Sequence, residues 1–183
     1  SAAPDHLAQV QFYERFDGKA LQEESEIYTT QQLPFIAPEM REGLQEFDWH
    51  TKHGDKALIE YADLRGCLHN HSTYSDGKNT LTEMAEACRD LGLSYFGIAD
   101  HSKYAAYAGG LKEEDVIRQH EEIDQLNAQW SDFQILKGIE SDILPDGSLD
   151  YDASVLASFD YVVASVHAGL TMDLEKAMPR VIK

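Results

Sequence analysis

Tyr161-Val162-Val163-Ala164-Ser165-Val166-His167 is an almost unbroken apolar run closed by a histidine. A strand with one wet face alternates apolar and polar residues, whereas a strand covered on both faces reads as a continuous apolar stretch, as in parallel sheets flanked by helices. The segment Tyr161 to Val166 is therefore predicted to be a buried strand of an α/β fold, with an imidazole at its C-terminal end.

Upstream the same unit recurs. Asp63 to Leu68, Ser94 to Ala99 and Phe133 to Ile139 read as three earlier strands, with helix-period segments between them. Thr80-Leu81-Thr82-Glu83 is a capping box, and Leu81, Met84, Ala85, Cys88 and Leu91 follow at helical spacing before Gly92 stops the helix. Lys112 to Gln129 is a helix with Val116, Ile117, Ile123 and Leu126 inward, and Asp152 to Phe159 is another. Asp173 to Lys183 opens a last helix, in which Pro179 is tolerable only in the first turn. Four strands alternating with helices predict a parallel sheet, open or part of a barrel.

Residues 1–60 show no sustained period and read as an irregular N-terminal linker, with short helices expected over Gln11 to Phe16 and Leu21 to Tyr28. Pro34 and Pro38 disfavour helix and central strand, so Phe35, Ile36 and Met40 are expected to plug a groove on the main domain, residues 61–183.

The 183 residues are 43% hydrophobic and 26% charged, enough for a core without staples. No run approaches the ~20 apolar residues of a membrane helix, and Ser1 to Val10 lacks the basic and apolar regions of a signal peptide, so a soluble protein is expected. Cys67 and Cys88 both fall in regular structure and read as reduced thiols of a cytoplasmic protein. Fifteen Lys and Arg against thirty-three Asp and Glu give a net charge of −18, which repels phosphate backbones. Any nucleic-acid role needs bound cations or a basic neighbour.

The chemistry gathers at the strand ends. The first strand runs into Leu68-His69-Asn70-His71-Ser72, where residues i and i+2 of a strand share a face and both imidazoles converge. Asp76 follows in a Tyr74-Ser75-Asp76-Gly77 turn; the second strand ends in Asp100-His101, the third in Gly138-Ile139-Glu140 and the fourth in Ser165-Val166-His167. His69, His71, Asp76, His101, Glu140 and His167 are thus candidate metal ligands at the edge where sites assemble in parallel α/β folds. Imidazole with carboxylate suits Zn, Mn or Fe, and six ligands exceed the need of one tetrahedral ion, so a multinuclear centre is expected. Two ions roughly 3.5–4 Å apart lower the pKa of a shared water to about 7 and neutralise charge on a phosphate, which points to phosphoester hydrolysis.

Asp100, beside a ligand, is a candidate catalytic residue, either orienting an imidazole or carrying a proton. Lys103, with Ala108-Gly109-Gly110-Leu111, reads either as a catalytic and phosphate-binding cradle or as a solvated lysine beside a turn that needs positive φ. His6, His50, His53 and His120 read as solvated. The acidic stretch Asp142 to Asp150 lacks the ligand positions of an EF-hand and reads as an Asp-Gly turn.

Together these residues resemble the PHP domain, named for polymerase and histidinol phosphatase. Asp63-Leu64-Arg65-Gly66, Asp100-His101-Ser102-Lys103, Ala108-Gly109-Gly110-Leu111, Gly138-Ile139-Glu140 and Ala164-Ser165-Val166-His167 are similar to the PHP domain of bacterial family X DNA polymerases. Leu33-Pro34-Phe35-Ile36-Ala37-Pro38-Glu39-Met40-Arg41-Glu42-Gly43 looks like the tail of the polymerase module and its linker, which places that tail within 1–60 and the N-terminal part of the PHP domain in 61–183.

The resemblance implies a distorted (β/α)7 barrel with up to three divalent ions that hydrolyses phosphodiesters such as DNA 3′ ends in repair. It would assign His69, His71 and Glu140 to one ion, Glu140 and His167 to a second, and Asp76 and His101 to a third. Cys67 stands where relatives carry an acidic residue. The family draws further ligands from later strands, so an incomplete barrel of about four βα units with impaired activity is expected, together with an exposed edge open to homodimer formation. The expected partners are a DNA 3′ end or small phosphoester and an upstream polymerase module, with no membrane. Two other readings are a stand-alone phosphatase of the histidinol-phosphate kind and a non-catalytic module stabilised by metals.

Overall fold

The computed structural model describes residues 2–16, 18–54 and 58–182. The chain divides into two units, Ser1–Ile59 and Glu60–Lys183. The first is more regular than the sequence pattern suggests. It holds α1 (Pro4–Gln9), α2 (Phe12–Arg15), α3 (Glu26–Thr29) and α4 (Glu46–His53), the first and last with no counterpart in the sequence reading. Val10, Tyr28 and Ile36 form its core, with Leu33, Met40 and Phe47 packed alongside. The expected groove plug is therefore corrected: Ile36 and Met40 serve the core of their own unit, and Phe35 stays half exposed with its ring edge-on to Tyr28.

His6 is likewise not solvated. It is buried between Glu46, 2.7 Å from Nδ1, and the Tyr28 hydroxyl, 2.9 Å from Nε2, and it stacks on Phe47. A buried imidazole must find partners for both nitrogens, and here they come from two different helices, α4 and α3.

In the second unit β1 (Gly66–Asn70), α5 (Leu81–Asp90), β2 (Tyr95–Ile98), α6 (Glu113–Gln129), β3 (Gln134–Leu136), β4 (Gly138–Asp142), α7 (Ala153–Leu156), β5 (Tyr161–Ser165) and α8 (Leu174–Ile182) follow in order. All strand pairings are parallel, β1-β2-β3 in one sheet and β4-β5 in another, and the sheets do not close into a barrel among the described residues. Thr80 and Glu83 cap α5 reciprocally, as their spacing predicts. Leu81, Ala85, Phe96, Ile98, Ile123, Leu126, Phe133 and Ile135 form the main core. On α6 it is Gln119 and not Ile117 that points inward, because Gln119 donates to the buried Asp100.

The single third strand expected over Phe133 to Ile139 is two strands broken at Lys137. Gln134, Ile135 and Leu136 pair with β2, and the chain then turns so that Gly138 to Asp142 pairs with β5, while Glu140 still bridges His101. The break makes room for the Tyr161 ring. Gly97 and Gly138 both lie against that ring, and a methyl on Gly138 would overlap it and the Ile98 carbonyl.

Pro179 sits inside α8, beyond the first turn where it was expected. The helix tolerates it because Arg180, buried, fastens the same turn by donating to the carbonyls of Ile143 and Ala168. The far end of the expected helix, Lys183, lies outside the described residues.

Gly138→Ala is expected to lower the melting temperature by about 5–10 °C, since overpacking against backbone costs roughly 1–3 kcal/mol. Differential scanning calorimetry checks it, and an unchanged transition would contradict the packing described.

Candidate metal centre

Glu140 is the point on which the strand ends converge. It lies in β4 with 5% of its surface exposed, and four imidazoles surround its carboxylate. Nε2 of His69 and of His167 each lie 3.3 Å from Oε1; Nε2 of His71 lies 3.4 Å and Nδ1 of His101 3.1 Å from Oε2. Asp76 closes the far side, 3.5 Å from His71 Nδ1 and 3.7 Å from His101 Nε2. All six candidate ligands are thus brought together in three overlapping groups: His69, His71 and Glu140; His71, Asp76 and His101; His101, Glu140 and His167.

Convergence of the first two histidines does not come from simple strand alternation. His69 has φ of +62°, in the left-handed region, and the β1-β2 register slips between Cys67 and Asn70. An extra residue in a strand leaves its amide without a ladder partner and re-aims side chains. Here the His69 amide donates to the Tyr161 hydroxyl at 3.3 Å, and that hydroxyl donates to the Ile98 carbonyl at 2.8 Å. A phenol on β5 therefore fixes the backbone of a ligand on β1. Nothing in the local sequence of either strand marks this pairing.

The electrostatics fit cations. With imidazoles neutral the group carries only carboxylate charge. Nδ1 of His71 and Nδ1 of His101 are shut off from solvent without a hydrogen bond, although carboxylate oxygens lie close to both. A buried polar atom left unpaired costs about 1–3 kcal/mol, and a divalent ion shared between lone pair and carboxylate removes that cost. Burial, and then the neighbouring His71, hold His101 below the ordinary imidazole value, which keeps it neutral and able to ligate. Burial alone would raise Glu140, but the Ser165 hydroxyl donating at 2.7 Å and the imidazoles beside the carboxylate outweigh it and hold the acid below the usual carboxylate range.

Asp100 is not placed to touch a substrate. It is fully buried, and its oxygens accept from the Ser72 amide and hydroxyl, the Ser75 hydroxyl and Gln119 at 2.5–2.8 Å. Of the two roles read for it, orienting or carrying a proton, these bonds favour a positioning one, since Asp100 holds the loop that carries Asp76. Lys103 is engaged by Glu113 at 2.5 Å and lies over the Tyr151 ring. Gly110 packs against the Ser102 carbonyl where a methyl group would overlap it, and Gly109 has φ of +67°. The first turn of α6 carries Glu113, Glu114 and Asp115, which repel phosphate. The turn reading of this segment, left open by the sequence, is the one its geometry supports.

Three residues of the site escaped the sequence reading. Asp142, read only as part of an acidic turn, is fully buried with both oxygens 3.2 Å from His167 Nδ1, an outer carboxylate of the kind that orients metal-bound imidazoles. Ser165 donates to Glu140, and Tyr161 holds His69. His120, read as solvated, is half-buried with its ring edge-on to Phe159.

The PHP domain family model matches residues 68–183, and the chain belongs to that family. It is 46% identical over 162 residues, 88% of its length, to the DNA polymerase/3′-5′ exonuclease PolX of Bacillus subtilis (strain 168). The chain spans 28% of that relative's length.

Tyr161→Phe keeps the ring but leaves the His69 amide and Ile98 carbonyl unpartnered. It is expected to weaken Zn²⁺ binding about tenfold, measured by competition with a chromogenic chelator. Unchanged affinity would show that His69 is positioned without the phenol.

Proposed function

We propose that this chain is the metal-dependent phosphoesterase domain of a family X DNA polymerase and hydrolyses phosphodiesters at DNA 3′ ends, as part of DNA repair in the cytoplasm. The observation that carries the proposal is the ring of four imidazoles on Glu140, with Asp76 opposite. Likeness to a relative named as a polymerase and 3′-5′ exonuclease supports the choice of substrate. Zn, Mn or Fe bound by this donor set would activate water and offset negative charge on the scissile phosphate.

The chain's own residues do the rest. Glu140 and His69, His71, His101 and His167 fix where cations sit; Asp142 and Ser165 set the orientation of His167 and Glu140; Asp100 keeps the Ser72–Asp76 loop against the strand ends. The upstream residues, with the Leu33 to Gly43 segment, are read as the end of the polymerase module. A net charge of −18 makes unaided attraction of DNA unfavourable, so the bound cations also recruit the substrate. No helix among the described residues is long and apolar enough to cross a membrane.

Glu140→Gln, nearly isosteric, is expected to lower Mn²⁺-dependent release of 3′-terminal nucleotides from a single-stranded oligonucleotide at least 100-fold and to weaken metal binding. Gel analysis of the products measures it. Turnover equal to the parent, or turnover insensitive to chelator, would overturn the phosphoesterase reading; equal stability loss without any parental turnover would favour a structural module.

A further inference from the structure

Tyr107 is 75% exposed, yet its ring centroid lies 6.3 Å from that of His101 in the metal centre. A ring so exposed contributes little to the core. Its support, by contrast, is firmly built. The flanking Ala105, Ala108 and Leu111 are buried, the Ala105 amide donates to Ser102, and the Leu111 amide donates to the His101 carbonyl. Gly110 lies so close to the Ser102 carbonyl that no side chain fits there. The loop thus anchors itself on both sides and lifts one aromatic ring beside the reaction centre.

From this geometry we infer that Tyr107 is a stacking platform for the nucleobase, or an equivalent aromatic group, of the phosphoester held at the metal centre. The inference rests on the phosphoesterase reading and adds to it a subsite for the base. A flat amphipathic ring on a rigid mount loses little conformational freedom on binding, and base stacking on aromatic side chains contributes about 1–3 kcal/mol per base without reading sequence. In a chain of net charge −18, an uncharged contact of this kind holds substrate without adding to the repulsion.

The test compares two single-stranded oligonucleotides, identical except that one ends in two abasic residues, each with phosphorothioate terminal linkages to slow cleavage. Binding to the Mn²⁺-loaded protein is followed by fluorescence anisotropy for the parent, Tyr107→Ala and Tyr107→Phe. The expected result is a loss of about tenfold for Tyr107→Ala on the base-bearing strand, no loss on the abasic strand, and near-parental binding by Tyr107→Phe. Equal effects on both strands, no effect on either, or no binding by the parent would overturn the platform. If hydrolysis proves independent of metal while the base-dependent loss persists, the phosphoesterase reading fails and the stacking subsite stands.

Discussion

One buried carboxylate facing four imidazoles is the arrangement on which the molecule is organised. Glu140 is nearly enclosed, and each of its oxygens has two imidazole nitrogens within 3.1–3.4 Å. Protonated, the imidazoles would repel one another across ring separations of 4.4–5.5 Å. Neutral, they leave lone pairs and carboxylate oxygens facing each other with no proton between some of them. A shared divalent cation resolves both problems. For that to work, the C-terminal ends of β1, β2, β4 and β5 must stand at one level, and the parallel pairings, the break at Lys137 and the wedge of Tyr161 put them there.

Much of this was readable in the chain. The apolar run at Tyr161, the capping box at Thr80 and the recurrence of a ligand at each strand end depend on local patterning, and local patterning survives folding. The parallel α/β class and the meeting of the six candidate ligands at one edge were legible for that reason. What was not legible depends on partners distant in sequence. The slip of β1 at His69 is stabilised by a hydroxyl 92 residues away, and the inward turn of Gln119 is explained only by Asp100. His6 looked solvated until Glu46 and Tyr28, from other segments, enclosed it. Asp142 looked like turn chemistry because its role depends on the last strand.

The charge of the chain and the chemistry of its site belong to one account. Under the proposed function, an acidic protein gains little from long-range attraction to DNA, so the affinity that reading requires is local, from cations held at Glu140 and its histidines and from uncharged contacts at the mouth. The same acidity keeps the unloaded centre short of positive charge, which favours the uptake of metal. Asp100 and Asp142, both fully buried, hold a loop and face an imidazole.

The most direct measurement is anomalous diffraction from crystals grown with Zn²⁺ or Mn²⁺. The account predicts strong peaks within coordination distance of Glu140, bounded by His69 and His71 on one side and by His101 and His167 on the other. Well-ordered side chains with no peak there, and Glu140 hydrogen-bonded directly to protonated imidazoles, would contradict it.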